Sequence, residues 1–169
     1  MKAFVTFACD SDQHLRMVVN MTLCLERNGA RAAMDMFHYT MPTDDKIGWI
    51  RRMYAEAEVI MVCISPQYLI QADPLMTNVT VNGNGLHTSL IYRMIRREIE
   101  VTGTCRRFIC VMVGDDTTPE DIPVLLRGCP TFLWPAQYGS VLSYLLMPNT
   151  RPQIRFMSES DGLKTYTQL

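Results

Sequence analysis

The sequence predicts a single α/β domain in which helices cover both faces of a parallel sheet. Two unbroken apolar runs of strand length, Val59–Ile64 and Phe108–Val113, are typical of central parallel strands buried on both sides. Strand-like segments alternate with helix-like segments along the whole chain, and right-handed crossovers place such helices on both faces of one sheet. We therefore expect a doubly wound, five-stranded sheet with the flavodoxin-like strand order 2-1-3-4-5.

Length and composition allow one substantial core. The chain has 169 residues, 48% of them hydrophobic, which suits one domain and is short for two. We expect this domain to occupy residues 1–147, followed by a polar, proline-containing tail at residues 148–169. The formal net charge of −1 gives no general attraction to nucleic acid or anionic lipid, so such contacts would need a local patch.

The first β-α step covers the first 29 residues. The run AFVTFA at residues 3–8 predicts a strand, and the polar residues 10–12 predict the N-terminal cap of a helix. Asn28-Gly29 predicts the end of that helix, because both residue types tolerate the left-handed backbone conformation found there. The apolar residues at helical spacing are Leu15, Val18, Val19 and Leu23.

The second step follows the same pattern. Residues 31–37 (RAAMDMF) predict a strand, and the polar residues 43–45 predict a cap for the next helix. The residues that share the apolar face of this helix are Ile47, Ile50, Met53, Tyr54 and Ala57. We expect this face to cover the sheet.

Between the two central strands lie a segment without periodicity and one strongly amphipathic helix. Residues 67–85 follow neither a helical nor a strand pattern, and a loop of this length is usually functional or disordered. Residues 88–101 predict a helix with an apolar face on one side and arginines on the other. Its expected buried residues are Leu90, Ile91, Met94 and Ile95.

The last part of the domain is predicted from shorter signals. Pro119 and Pro123 frame a poorly periodic crossover after the fourth strand. Residues 131–134 then predict the fifth strand, and residues 138–146 predict the last helix.

The cysteines are expected to be reduced. The six cysteines form no Cys-x-x-Cys pair, and Cys63 and Cys110 lie inside apolar strands, where a buried thiol is common. No apolar run reaches the length of a membrane span, and residues 1–9 have no signal-peptide pattern. The sequence therefore predicts a cytoplasmic protein without membrane insertion.

The sequence lacks the characteristic motifs of several enzyme and cofactor-binding classes. No glycine-rich loop follows the first strand, so no nucleotide or flavin cofactor is expected. The three histidines share no metal-ligand spacing, so no metal site is expected either. The third strand ends in Ser65-Pro66, where a phosphate-accepting receiver needs an aspartate, and no Gly-x-Ser-x-Gly segment supplies a hydrolase nucleophile.

Six short segments occur in an order that is typical of one family. They are AFVTFACD at 3–10, DMF at 35–37, WIRRMY at 49–54, ISPQYL at 64–69, GLHTSLIYRM at 85–94 and FLWP at 132–135. Over about residues 2–146 the chain resembles the SEFIR domain, a TIR-like cytoplasmic module of interleukin-17 receptors and of their adaptor. The GLHT segment and the helix after it are nearer to the adaptor side of the family than to the receptors.

The resemblance implies a signalling adaptor rather than an enzyme. Family members associate homotypically, so the implied partners are SEFIR domains of interleukin-17 receptors, with self-association as a further possibility. The implied output runs through TRAF ubiquitin ligases to NF-κB and stress-kinase signalling in inflammation and innate immunity. TRAF proteins would be reached only through regions outside this chain, so it is expected to act as a fragment, an isoform or a short, inhibitory paralogue.

The resemblance also points to a docking surface around the helix at 88–101. The expected partner-binding residues on or before this helix are His87, Thr88, Tyr92, Arg93, Arg96 and Arg97, with Tyr92 and the arginines pointing outward or to its flank. The expected contacts from the preceding segment are Gln71, Asp73, Asn78 and Asn82. Residues 76–84 carry no charge, unlike the acidic loop of the family's adaptor, which should reduce the salt sensitivity of binding.

Two other functions stay open at the level of sequence. Some TIR domains cleave NAD with a glutamate on the third helix, and Glu98 continues the apolar face of the corresponding helix here, where burial would raise its pKa. The alternative is that Glu98 pairs with a nearby arginine at the surface. Stem-loop RNA binding would need a merged basic patch, formed by Arg51, Arg52, Arg93, Arg96, Arg97, Arg106, Arg107, Arg151 and Arg155.

Overall fold

One parallel sheet forms the centre of the molecule. The structure, a computed structural model, describes residues 1–36, 45–72 and 87–146, so the predicted tail at 148–169 lies outside the described residues. The strands are β1 (Lys2–Thr6), β2 (Arg31–Met34), β3 (Val59–Ile64), β4 (Phe108–Val113) and β5 (Thr131–Trp134). They lie in the order β2-β1-β3-β4-β5, and every neighbouring pair is parallel. The predicted fold class and strand order are confirmed.

Helices cover both faces of this sheet. They are α1 (Asp12–Arg27), α2 (Lys46–Glu56), α3 (Pro66–Ala72), α4 (Thr88–Thr102) and α5 (Tyr138–Leu146), with two 3-10 turns at Pro119–Asp121 and Val124–Leu126. One core cluster contains residues of α1 and α5, and the other contains residues of α2, α3, α4 and the second 3-10 turn. The sheet separates the two clusters, as expected for a doubly wound fold.

Strands β3 and β4 are buried along their whole length, as their unbroken apolar runs predict. Ile60 pairs with Phe108, and successive side chains alternate between the two faces of the sheet. Ile60 and Val62 join the cluster of α2, α3 and α4, whereas Val59 and Met61 join the cluster of α1 and α5. Because full burial of one such side chain contributes about 1.5–3 kcal/mol, these strands stabilise both halves of the core.

The polar start and stop signals of the first two helices act as predicted. Ser11 Oγ accepts a hydrogen bond from the N–H of His14 at 3.1 Å, and Asp45 Oδ1 accepts one from the N–H of Gly48 at 2.9 Å. These side chains satisfy N–H groups that have no partner within the helix. After α1 the chain turns at Gly29, whose φ of 87° lies in the left-handed region.

Helix α3 lies where the sequence analysis expected an irregular segment. The prediction for residues 67–85 is therefore wrong over residues 67–72, and residues 73–86 lie outside the described part of the chain. Ser65 Oγ accepts a hydrogen bond from the N–H of Tyr68 at 3.3 Å, and Pro66 is the first helical residue. A serine cap followed by proline is a helix-start signal, because proline has no N–H to satisfy in the first turn.

Two predicted apolar faces are displaced in the structure. Leu23 is 42% exposed, while Met21 and Leu25 of the same helix are buried. Ile47 is 43% exposed, while Trp49 of α2 is buried. In both helices more apolar residues were present than one face could hold, so helical spacing alone did not identify the buried set.

A side chain covers part of the outer edge of β5. Gln137 Oε1 accepts a hydrogen bond from the N–H of Leu133 at 2.8 Å, and the N–H of Gln137 donates to the Leu133 carbonyl at 2.7 Å. The Leu133 peptide groups at the edge are therefore satisfied within the chain.

Candidate protein-interaction surface

Helix α4 has one buried face and one charged, exposed face. Ile91, Ile95 and Ile99 pack into the core, because they recur at intervals of four residues on one side of the helix. The exposed residues on the other side are Arg93, Arg96, Arg97, Glu100 and Val101. We call this exposed side the α4 arginine face. The helix ends at Gly103, whose φ of 63° gives the left-handed C-terminal conformation.

The arginines of the α4 arginine face differ in their contacts. Arg96 Nε lies 2.7 Å from Glu100 Oε1 one turn later, which is an exposed ion pair within the helix. Within the described ranges, Arg93 and Arg97 form no ion pair with any residue. Two guanidinium groups are therefore available for an acidic partner.

Three other residues predicted to contact a partner are buried. The predicted position of Tyr92, outward or on the flank of the helix, is wrong, since the residue is 8% exposed and its ring lies edge-on to Tyr68 at a centroid distance of 6.3 Å. Thr88 Oγ1 donates a hydrogen bond to the Phe7 carbonyl at 2.7 Å. His87 is also buried, because it lies where α4 meets the end of β2. These residues hold the helix rather than present a surface.

The segment before α4 is only partly described. Gln71 lies near the end of α3, is partly exposed, and accepts a hydrogen bond from Ser89 Oγ at its carbonyl, at 2.8 Å. Asp73, Asn78 and Asn82 lie outside the described residues, so their contact roles stay predictions.

A buried carboxylate joins the start of α4 to two other elements. Asp35, directly after β2, is 1% exposed, and its Oδ2 accepts a hydrogen bond from the N–H of His87. Lys46, the first residue of α2, places Nζ 3.2 Å from Asp35 Oδ1 and donates to the Asp35 carbonyl at 3.2 Å. Burial raises the pKa of Asp35, and the contacts with His87 and Lys46 offset only part of that rise.

Near its other end, α4 is joined to α2 by Arg107. Arg107 Nε and Nη2 lie 2.6 and 2.5 Å from the two carboxylate oxygens of Glu98. Its Nη1 donates to the carbonyls of Tyr54 and Ala57 at 2.9 and 2.7 Å, which belong to the last turn of α2. Tyr54 completes the group by donating its hydroxyl hydrogen to Glu98 at 2.9 Å.

The hydrogen bonds from Arg107 and Tyr54 determine the direction in which the pKa of Glu98 is shifted. Burial alone would raise the pKa of Glu98, but the hydrogen bonds from Arg107 and Tyr54 outweigh burial and lower it. Arg107 directly precedes β4, so the group lies toward the amino ends of the strands. In this kind of sheet, ligand crevices form at the carboxyl ends. The alternative considered in the sequence analysis, pairing of Glu98 with a neighbouring arginine, is what the structure contains.

The arginines considered for RNA binding differ in their contacts. Arg107 is occupied by Glu98, and Arg96 is occupied by Glu100. Arg51 and Arg52 are exposed on α2. Arg151 and Arg155 lie outside the described residues.

The described ranges contain neither a metal-binding cluster nor a membrane-spanning helix. There, no three side chains of the types His, Cys, Asp and Glu are placed to hold a metal ion. All six cysteines are free thiols, and four of them are buried. Within that part of the chain, no helix combines the length and apolar character that a bilayer crossing requires.

Comparison with known proteins agrees with this architecture. The family model of the SEFIR domain matches residues 1–145. The chain aligns with the crystal structure of a prokaryotic SEFIR domain at 16% identity and a TM-score of 0.58, covering 87% of this chain and 96% of that one. A flavone reductase aligns at 16% identity over 88% of this chain and 57% of that chain, but its TM-score of 0.38 is too low to indicate a common fold. The protein belongs to the SEFIR family of TIR-like signalling modules.

Proposed function

We propose that this chain is a cytoplasmic adaptor module that binds the SEFIR domains of interleukin-17 receptors by homotypic interaction. The α4 arginine face is the proposed docking surface. The complex would connect to TRAF ubiquitin ligases, NF-κB and stress-kinase signalling. Self-association through the same surface is a further expected property.

The observation that carries this proposal is the exposed pair Arg93 and Arg97 on a helix held near both ends. Arg107 joins one end of α4 to α2, and the Asp35 contacts hold the other end. Arginine combines a large contact area with directional hydrogen bonds, which is why protein interfaces favour it. A surface that is already fixed before binding loses little conformational entropy on association.

The chemistry of the surface indicates the kind of partner surface that it fits. Arg93 and Arg97 are both positive and have no ion-pair partner among the described residues, so an acidic patch on the receptor domain would complement them. Because the whole chain has a formal net charge of only −1, attraction to such a patch would be local.

Charge reversal of this pair tests the docking surface. We expect Arg93→Glu with Arg97→Glu to abolish co-precipitation with an interleukin-17 receptor tail, because each new carboxylate would face an acidic partner. The melting temperature should stay close to that of the wild type, since both side chains are exposed.

A matched variant separates the surface from net charge. Arg16→Glu with Arg27→Glu makes the same change in net charge on α1, which covers the opposite face of the sheet. This control should keep receptor binding. Binding by the α4 variant at the wild-type level would contradict the assignment of the surface.

We infer a structural rather than a catalytic role for Glu98. Both of its carboxylate oxygens are hydrogen-bonded within the described residues, and its lowered pKa does not suit a general acid at neutral pH. NAD turnover by the purified wild-type protein and by Glu98→Gln should be at background in both cases. Turnover that Glu98→Gln removes would instead support a TIR-like NAD-cleaving enzyme.

A further inference from the structure

Helix α4 begins without a cap of its own. His87 occupies the N-cap position but makes no capping hydrogen bond with its side chain, and the first turn contains no acidic residue. In α1 and α2, by contrast, Ser11 and Asp45 provide this bond from the N-cap position. A helix N-terminus has unsatisfied N–H groups and a partial positive charge, so it favours a negative acceptor.

Asp35 supplies that acceptor from another element of the fold. It lies 52 residues before His87 in the sequence, yet its carboxylate accepts the N–H of His87 at the start of α4. A carboxylate that is buried this deeply is costly unless it is paired and hydrogen-bonded. Lys46 of α2 provides the opposite charge at 3.2 Å. The contact therefore joins β2, α2 and α4 at one point.

The contact between Asp35 and His87 lies close to the α4 arginine face. The next residue, Thr88, is held by the Phe7 carbonyl, so the first turn of α4 is fixed against β1 as well as β2. Arg93 lies less than two turns further along the same helix. A shift of the first turn would therefore move the guanidinium groups relative to the surface of α2.

We propose that Asp35 is a positioning residue that caps α4 from the end of β2 and thereby sets where Arg93 and Arg97 meet a partner. This inference rests on the proposed docking function. It assigns to a buried side chain control over the geometry of an exposed surface.

Removal and replacement of the cap test the proposal. Hydrogen exchange of the first-turn amides of α4 should be faster by about fivefold in Asp35→Ala, which corresponds to the loss of one helix cap. Binding to the SEFIR domain of an interleukin-17 receptor should weaken in the same variant. If Asp35→Ala fails to fold, Asp35→Asn replaces it, and a smaller loss in both measurements is expected because the amide oxygen still accepts.

Rescue distinguishes capping from a general structural role. His87→Asp places a carboxylate at the N-cap position itself, so in the Asp35→Ala background it should restore both slow exchange and binding. In the wild-type background, His87→Asp brings two carboxylates together, so it should speed amide exchange in the first turn of α4 and weaken receptor binding. Failure of His87→Asp to restore either property, or wild-type exchange and binding in Asp35→Ala, would overturn the proposal.

A second capping carboxylate provides the control. Asp121 Oδ2 accepts the N–H of Thr118 at 2.8 Å in a 3-10 turn, so Asp121→Ala also removes a cap but should change neither α4 exchange nor receptor binding. The proposed function fails separately, if Arg93→Glu with Arg97→Glu binds normally. If that docking surface is wrong, hydrogen exchange of the first-turn amides of α4 still tests whether Asp35 caps the helix.

Discussion

Arg107 connects more of the fold than its position before β4 suggests. It bonds to both carboxylate oxygens of Glu98 and to two carbonyls in the last turn of α2. Its guanidinium carbon also lies 4.7 Å from the centre of the Tyr54 ring, a distance suited to a cation–π contact. One partly buried side chain thus fixes the distance between two helices.

Loss of Arg107 should destabilise the protein more than loss of an exposed arginine. Arg107→Ala leaves Glu98 partly buried without its counter-ion, and we expect the free energy of unfolding to fall by about 1–3 kcal/mol after allowance for solvent exposure. Urea unfolding measures this change. Arg96→Ala, which removes the exposed pair with Glu100, should cost much less, because solvent screens that pair. Equal losses in the two variants would contradict this account.

The Glu98 ion pair should also give a defined pH dependence. Because the pKa of Glu98 is lowered in the folded protein, its contribution to stability is present above the ordinary glutamate value of 4.5. That contribution is lost as the pH falls through the lower, folded pKa. Unfolding of the wild type and of Glu98→Gln across this range should show a stability difference that shrinks with acidification. A difference that grows on acidification would show that the pKa is raised instead.

Backbone conformation determines where a helix ends as much as capping side chains do. Gly103 ends α4 with a φ of 63°, and a Cβ at that position would meet no atom within 4 Å. Gly139 in the first turn of α5 has equally open surroundings but no positive φ. A substitution at either glycine meets no steric contact, so the difference between the two positions reports backbone strain alone.

Alanine at these two glycines should change stability in opposite directions. Gly103→Ala forces a left-handed conformation on a residue with a Cβ and should cost about 1 kcal/mol. Gly139→Ala should stabilise by about 0.5 kcal/mol, because alanine loses less backbone entropy in a helix. Thermal unfolding of both variants measures the pair. A stabilising Gly103→Ala would show that the left-handed C-terminus of α4 is not required.

Sequence reasoning succeeded where a local pattern determines an element. The bounds of β3, β4, β5 and α5 agree with the predictions because apolar runs and turn residues mark them directly. Helix α3 was missed although Ser65-Pro66 marks its start, since seven residues are too few to show a clear period. The whole alternating pattern still identified the strand order, because right-handed crossovers leave few alternatives.

The contacts that hold the candidate surface are the part that sequence could not provide. Asp35 meets His87 across 52 residues, and Arg107 meets Tyr54 across 53. No periodicity encodes such pairs, since they depend on how the sheet brings distant segments together. Sequence could identify the exposed Arg93 and Arg97, but it placed Tyr92 outward or on the flank, because a buried tyrosine and an interface tyrosine look alike along the chain.

The covered peptide groups of Leu133 limit how a further strand can add to the edge of β5. Amyloid-like growth needs open peptide groups onto which a further chain can add, and Gln137 already occupies those of Leu133. A strand that added at this edge would first have to displace Gln137, which is hydrogen-bonded through both its side chain and its backbone N–H. Strand addition at Leu133 would have to break both contacts first, so extension of the sheet is disfavoured at this point of its edge.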